Sequence, residues 1–383
     1  MGNKLEEIEQ FKRDINTLFY VSAYLIDEWI SLRVDQFYYS YDTFVLKMAL
    51  TKGTGQQFSN DDILDINNEY FYVDKITASE EEKYIQVEGR SLLAKTLNRI
   101  INSNFSTGNN YKPEQIASLI LEQNGISGTF ANRDFNQLQL DKFDDSKDLT
   151  GQRISNYQNS YGVVMEAVEN LMKTYDFGVS EKISTEATAF FIKIPCSTKV
   201  SFFKGRDQSK FVQFDSDFDN LSKETYETSN YDEKNIAYVF GSGDGNARKN
   251  VVVGSTDSRD IDLKELYVDA RDLQPTVTDS SGKSTPMADA QYLELLRQRG
   301  NEKLLEHAPV LQMNGVINID SKLFVFGDDY RLGDRVKIVS SLFGVSKDVT
   351  ITALQYVWDE KGFKVTPTFG NESPTLIDLI KRG

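Results

Sequence analysis

Residues 310–370 read VLQMNGVINIDSKLFVFGDDYRLGDRVKIVSSLFGVSKDVTITALQYVWDEKGFKVTPTFG. Asp329-Tyr330-Arg331-Leu332-Gly333-Asp334 is a polar turn. It feeds Arg335–Val339, where Val336 and Ile338 alternate with charged neighbours. Period-two alternation puts the apolar side chains on one face, the pattern of a half-buried strand. After a loop carrying Gly344, a second alternating run extends from Val349 to Trp358. Asp359-Glu360-Lys361-Gly362 turns the chain, and Gly362 is free to take a positive φ. Phe363–Thr366 returns antiparallel. Pro367 cannot donate to a ladder, so a strand end or an edge is expected there. The stretch predicts a small antiparallel barrel or meander.

Upstream, residues 3–17 carry Leu5, Ile8, Phe11 and Ile15 at helical spacing. They read as a short amphipathic helix or as an extended arm. Leu18–Ile26, Ser31–Tyr41, Thr43–Leu50, Glu69–Ile76 and Lys83–Glu88 are rich in β-branched and aromatic residues with polar turns between them, an all-β start. Gly89 is expected to end a strand. A helix with Leu93, Thr96, Leu97 and Ile100 on one face should follow. Pro113 suits the first turn of a second helix, striped by Ile116, Leu119 and Ile120. Tyr161–Thr174 reads as a third helix, with Val164, Val168, Leu171 and Met172 inward. Phe177–Ser180 and Ala189–Ile194 return to strand, and 200–270 is again β. Residues 274–286 look like a polar loop, and Thr285-Pro286 opens a helix to about Glu306 with Tyr292, Leu295 and Leu296 on one face.

Four separated segments, in order, resemble the Tal-like tail-hub proteins of long-tailed bacteriophages, which are related in fold to the central hub of contractile-tail baseplates. The first runs from Trp29 through Tyr38-Tyr39 to Asp42-Thr43-Phe44-Val45-Leu46, with Tyr41 where the pattern usually has Gly. The second is Val87-Glu88-Gly89-Arg90-Ser91-Leu92-Leu93, followed by Asn98-Arg99-Ile100-Ile101. The third joins Ile236–Phe240, the Gly-rich turn through Arg248, and Leu266-Tyr267-Val268-Asp269-Ala270-Arg271-Asp272. The fourth is Tyr330-x-Leu332-Gly333-Asp334-x-Val336 with Pro367-Thr368-Phe369-Gly370.

The expected fold class is therefore α+β and β-rich, with several domains: two small antiparallel barrel-like domains, an inserted α/β segment, and a trimeric hub ring. The expected division is 1–88 as the N-terminal barrel-like domain, completed by strands within 195–235, and 89–194 as the α/β insert. A β-rich middle at 195–308 with a linking helix at 286–306, a C-terminal barrel-like domain at 309–371 and a tail at 372–383 complete it. The resemblance implies a homotrimer whose six similar β units match a hexameric distal tail ring protein. Contacts with a tape-measure protein and with receptor-binding proteins or fibres are implied too. It places the chain at the tail tip or baseplate of the virion, assembled in the host cytoplasm. No peptidase or fibre domain of the kind longer hub proteins carry is expected after the last sheet.

Composition agrees. The 383 residues exceed one ordinary core, and 19 Tyr with 24 Phe favour sheets. No run approaches the roughly 18 apolar residues of a membrane span. The first residues lack a secretory core, and Glu6 breaks the myristoylation pattern after Met1-Gly2. A net charge of −15 opposes phosphate binding, so genomic DNA should pass through the hub without specific binding.

Chemical motifs are sparse. The run Gly241–Lys249 lacks the Gly-Lys-Ser/Thr ending of a phosphate loop, and a Val-Val-Val strand follows it where a dinucleotide loop needs a helix. It reads as a hairpin loop. Asp215, Asp217 and Asp219 fit positions 1, 3 and 5 of a calcium loop, but Asn220 replaces the glycine and Tyr226 the closing glutamate. A solvated acidic turn is the expectation there and at Asp141–Asp148. Cys196, the one cysteine, cannot form an internal disulfide and is expected to be buried. The one histidine, His307, sits where a helix dipole favours it. Without a nucleophile–base pair or metal spacing, no catalytic residue, metal ligand or cofactor is assigned, and the chain is expected not to be an enzyme. The alternatives are a carbohydrate- or receptor-binding module stacking ligands on Trp29 or Trp358, and, last, a cell-wall hydrolase.

Overall fold

The computed structural model describes residues 7–14, 19–102, 104–127, 133–141, 147–184, 196–218, 220–278, 284–317 and 323–370. Seven strands open the chain: β1 (Ile8–Arg13), β2 (Tyr20–Ile26), β3 (Ser31–Phe37), β4 (Thr43–Ala49), β5 (Ile63–Ile66), β6 (Tyr70–Ser79) and β7 (Tyr84–Ser91). Next come β8 (Asn104–Ser106), α1 (Pro113–Ile120), β9 (Leu138–Leu140), β10 (Gln158–Ser160), α2 (Val164–Tyr175), β11 (Gly178–Ile183) and β12 (Thr198–Phe203). The strands β13 (Gln213–Asp215) and β14 (Leu221–Ser229) lead into β15 (Ile236–Phe240), β16 (Asn250–Gly254), β17 (Glu265–Asp269), β18 (Thr276–Thr278), β19 (Ser284–Pro286) and α3 (Asp289–Glu306). The chain closes with β20 (Val310–Ile317), β21 (Arg335–Ser340), β22 (Val345–Asp359) and β23 (Gly362–Gly370).

The early and late strands form one sheet in the order β14-β20-β23-β22-β3-β4-β7-β6-β5-β1-β2, with β13 and β21 branching from β22. Among the described residues this path is open, so the two barrel-like domains expected from the sequence appear as one continuous sheet. The reason is the length of β22. Its first half pairs with β21, and its second half lies between β23 and β3. A single apolar cluster runs under both parts, from Ile8, Leu32, Val34 and Leu46 to Phe214, Ile338, Tyr356 and Phe369. Of the strands within 195–235, expected to complete the N-terminal sheet, β14 joins the far end of the same continuous sheet. β12 pairs with β11 and β9, β13 with β21, and β14 with β20.

The N-terminal ambiguity resolves to an extended strand: Ile8 pairs with both Ile26 and Ile66. β7 continues past Gly89 to Ser91, and its partner β6 bulges between Val73 and Lys75 beside it. The helix expected after it is a 3-10 segment, Leu92–Asn98, and Ile100 lies beyond it, 44% exposed. α1 and α2 bury the stripes read from the sequence, save that Leu119 is only partly buried, and they share a second core with Phe177 and Val200. Ala189–Ile194 lies outside the described residues. The polar stretch before α3 contains a short hairpin, β18–β19, so the helix starts at Asp289 rather than at Thr285. Tyr292, Leu295 and Leu296 pack on the three-stranded sheet β16-β15-β17, so α3 covers a sheet as well as connecting two regions. At the β22–β23 hairpin Gly362 has φ +102°, and Asp359 Oδ1 accepts the Lys361 N–H at 2.7 Å. Pro367 faces Leu354 on β22, and on its other side the β20 ladder stops one residue short, at Thr368.

Candidate assembly site

The seam between the two ends of the chain is the antiparallel pair β3–β22, in register from Ser31↔Asp359 to Phe37↔Ala353. Leu32 and Val34 lie opposite Trp358 and Tyr356, and all four are buried. The Tyr356 ring lies beside the Trp358–Phe363 pair, with centroids at 6.1 and 6.3 Å. On the other face Gln355 Nε2 donates to Asp35 Oδ1 at 2.7 Å, and Arg33 pairs with the same carboxylate at 2.9 Å.

Where the seam meets the insert, four segments converge on Tyr38, which is fully buried. Its N–H donates to Thr352 O, its carbonyl accepts from Val179 N–H, and its hydroxyl accepts from Gly205 N–H at 3.1 Å. Burial pushes its phenol well above the ordinary range. Gly178, Gly205 and Gly333 are packed so closely here that an added Cβ on any of them would overlap Tyr38 or backbone. Beside them Asp334, 0% exposed, accepts from Arg206 N–H at 2.7 Å and from Arg206 Nη2 at 2.6 Å. The same guanidinium donates to the carbonyls of Asp328 and Asp329. One arginine thus holds the whole turn 328–334 against the segment leaving β12.

Around this junction three carboxylates converge. Glu181 on β11 accepts from Ser91 Oγ at 2.5 Å and from Leu93 N–H at 3.0 Å. Asp42 accepts from Phe37 N–H at 2.8 Å, and Glu69 from Gln36 Nε2 at 2.9 Å. Burial, then mutual repulsion with Glu69 and Glu181, pushes Asp42 far above the usual carboxylate range. Burial raises Glu69 and Glu181 to about 7 each. The cluster ties the first sheet to the insert, with the fully buried Tyr356 hydroxyl nearby.

The two ends of the open sheet differ. β14 carries Lys223, Glu224 and Glu227, and its ladder is interrupted between Ser222 and Thr225, both protections for an edge. β2 has neither charge nor proline, and Val21, Tyr24 and Leu25 are about half exposed, with Phe19 and Ile30 nearby. An apolar edge of this kind, with no strand beside it among the described residues, invites another strand.

Of the residues weighed for chemistry in the sequence, Trp358 lies in the seam and the others lie apart from it. Trp358 is core, and Trp29 packs against it. Cys196 is buried at a left-handed turn, and burial pushes its thiol up to about 12. His307 ends α3 with Nδ1 2.9 Å from Asp232 Oδ2. Residues 241–249 form a hairpin loop pinned by Arg248, which donates to the carbonyls of Phe240 and Gly241. Asp215 is buried and accepts from Gln213 Nε2 and Asp217 N–H, and Asp217 accepts from Ser341 Oγ. Asp219 lies outside the described residues. Asp141 and Asp148, the ends of the other acidic stretch, pair with Lys199 and Arg153. Among the described residues no three His, Cys, Asp or Glu side chains are grouped to hold a metal ion, and no helix is long and apolar enough to cross a membrane. Sequence reading missed Gly178, Gly205 and Glu181. None has a local motif, because each matters only through a partner far away in the chain.

Residues 21–371 match the family described as Siphovirus ReqiPepy6 Gp37-like protein. No curated protein matches. Solved structures share the fold over nearly the whole chain. The 43 kDa tail protein of prophage MuSo2 from Shewanella oneidensis aligns with TM-score 0.52 and 12% identity, covering 95% of this chain and 98% of its own. Prophage tail protein gp18 from Listeria monocytogenes gives 0.52 and 12%, covering 98% of each chain. The tail protein from Neisseria meningitidis gives 0.51 and 9%, covering 96% of each.

Proposed function

We propose that this chain, which belongs to the Siphovirus ReqiPepy6 Gp37-like protein family, acts as the hub of a phage tail tip, adapting a sixfold tail ring to a threefold end. Phage tail structural proteins of this kind are virion components. The observation that carries the hub reading is the β3–β22 seam within a sheet open at both ends. One chain supplies two β regions joined edge to edge, and its bare β2 edge is available to a second copy. A head-to-tail contact of this kind closes into a ring when the rotation allows. Three copies then offer six β regions to a hexameric distal ring protein. Their net charge of −15 each keeps the ring from gripping DNA that slides through it. Tape-measure protein and fibres or receptor-binding proteins are the further partners, and the role is structural rather than catalytic.

Native mass spectrometry tests this. The expected particle has three times the 43.6 kDa mass of one chain, and binds one hexamer of the distal ring protein when the two are mixed. A monomer at micromolar concentration that ignores the ring protein would sink the reading.

A further inference from the structure

The sheet β16-β15-β17 is covered by α3 on one face, and among the described residues no element packs on the other. Ala237, Val239, Val251, Val253 and Val268 point to the helix. The pairing register places Tyr238, Phe240, Val252 and Tyr267 on the opposite face, with Asn250, Glu265 and Asp269 around them. Tyr267 is 62% exposed and Val252 43%, while Tyr238 and Phe240 are half-buried. The polar rim is held in place. Arg248 lies over the Phe240 ring at 5.4 Å, donates to Asp269 Oδ1 at 3.0 Å and reaches the Tyr267 hydroxyl at 3.4 Å. Arg271 forks onto the same Asp269, and the Tyr238 hydroxyl bonds to Glu265.

We propose that this face is a binding platform for a neutral oligosaccharide. Three features select that occupant. The exposed ring of Tyr267 and the half-buried ring of Tyr238, beside Val252, offer an apolar strip on which the C–H face of a pyranose can lie. Around the strip stand polar groups that can exchange hydrogen bonds with sugar hydroxyls: the guanidinium of Arg248, the amide of Asn250, the carboxylates of Asp269 and Glu265. The two arginines balance the two carboxylates, so the face has no net charge to attract an ionic ligand. The chain as a whole, at −15, repels polyanions. Size argues against a protein partner. Three strands about 4.8 Å apart and about 17 Å long cover roughly 240 Å², against about 800 Å² per partner in a stable protein interface. The strip accommodates two or three sugar rings. This platform, rather than either tryptophan, is where the structure supports carbohydrate recognition, and it is independent of the hub reading.

The test uses the full chain with the N-acetylglucosamine hexamer, maltohexaose and a heparin hexamer, read by saturation-transfer NMR and titration. At least one neutral hexamer is expected to bind and heparin is not. Tyr267→Ala should weaken binding about tenfold, the scale of one aromatic contact, while Tyr267→Phe keeps most of it. Val252→Lys, at the exposed β16 end of the strip, should block binding without disturbing the helix-packed face. The proposal fails if neither neutral hexamer binds, if heparin binds better, or if Tyr267→Ala leaves affinity unchanged. It also fails if Tyr267 in the sugar-free assembled oligomer is protected from hydroxyl-radical labelling, since a protein then covers the face.

Discussion

A Cβ added to Gly205 would lie 1.7 Å from the carbonyl oxygen of Gly333, so the segment after β12 and the turn before β21 touch backbone to backbone. No side chain fits between them. Gly205→Ala must therefore separate the insert from the C-terminal strands, and it should lower the unfolding free energy by about 3 kcal/mol or more. Urea unfolding checks this. Gly151→Ala is not the right control, because its φ of +67° adds strain of its own; Gly53→Ala, in open surroundings, is.

Arg206→Ala leaves Asp334 buried without its guanidinium. The expected loss is on the order of 2–3 kcal/mol, below the range for fully buried pairs because Arg206 remains 36% in water. Arg206→Lys should restore little, since a point charge cannot also reach the carbonyls of Asp328 and Asp329. The same denaturation series measures both variants.

Glu69 and Glu181 titrate near 7 in the folded chain and in the ordinary carboxylate range when unfolded. The folded state thus holds more protons between those values, and its stability falls as pH rises through 7. Melting temperature should climb from pH 8 to pH 5.5, by an amount equivalent to about 2 kcal/mol for each of the two groups. Glu181→Gln, which stays neutral at every pH, should flatten that slope. A wild-type profile that instead rises towards pH 8 would overturn the assignment.

The β2 edge carries the predicted contact between copies. Val21→Lys places a charge on a strand that is already exposed, so folding should be unaffected. Sedimentation should then show the ring replaced by single chains. The equivalent change on β14, Thr228→Lys, adds one more charge to an edge that already has three, and tests whether that edge is the complement.

Strand positions were legible because alternation reports which face is buried. Val336, Ile338, Tyr356 and Trp358 all lie where period two places them. Alternation does not name a strand's neighbour, and β3–β22 joins residues more than 300 positions apart, so two expected barrels became one open sheet. The 92–98 segment shows another limit: an apolar repeat at 93, 96 and 97 suits a 3-10 turn as well as an α-helix when the segment is this short. Glu181 could not be picked from 58 acidic residues, since its role comes from Ser91 and Leu93 across the fold.

The placement of β22 also sets a timetable for synthesis. A nascent chain that has reached residue 340 has already made β3, yet the strand that will shield it has not been translated. The first sheet must wait on the ribosome with its flank uncovered until the codons for β22 are read, so copies made side by side on one message meet in their most adhesive state. Correct folding then depends on finishing β22 faster than neighbouring nascent chains can find each other's β3.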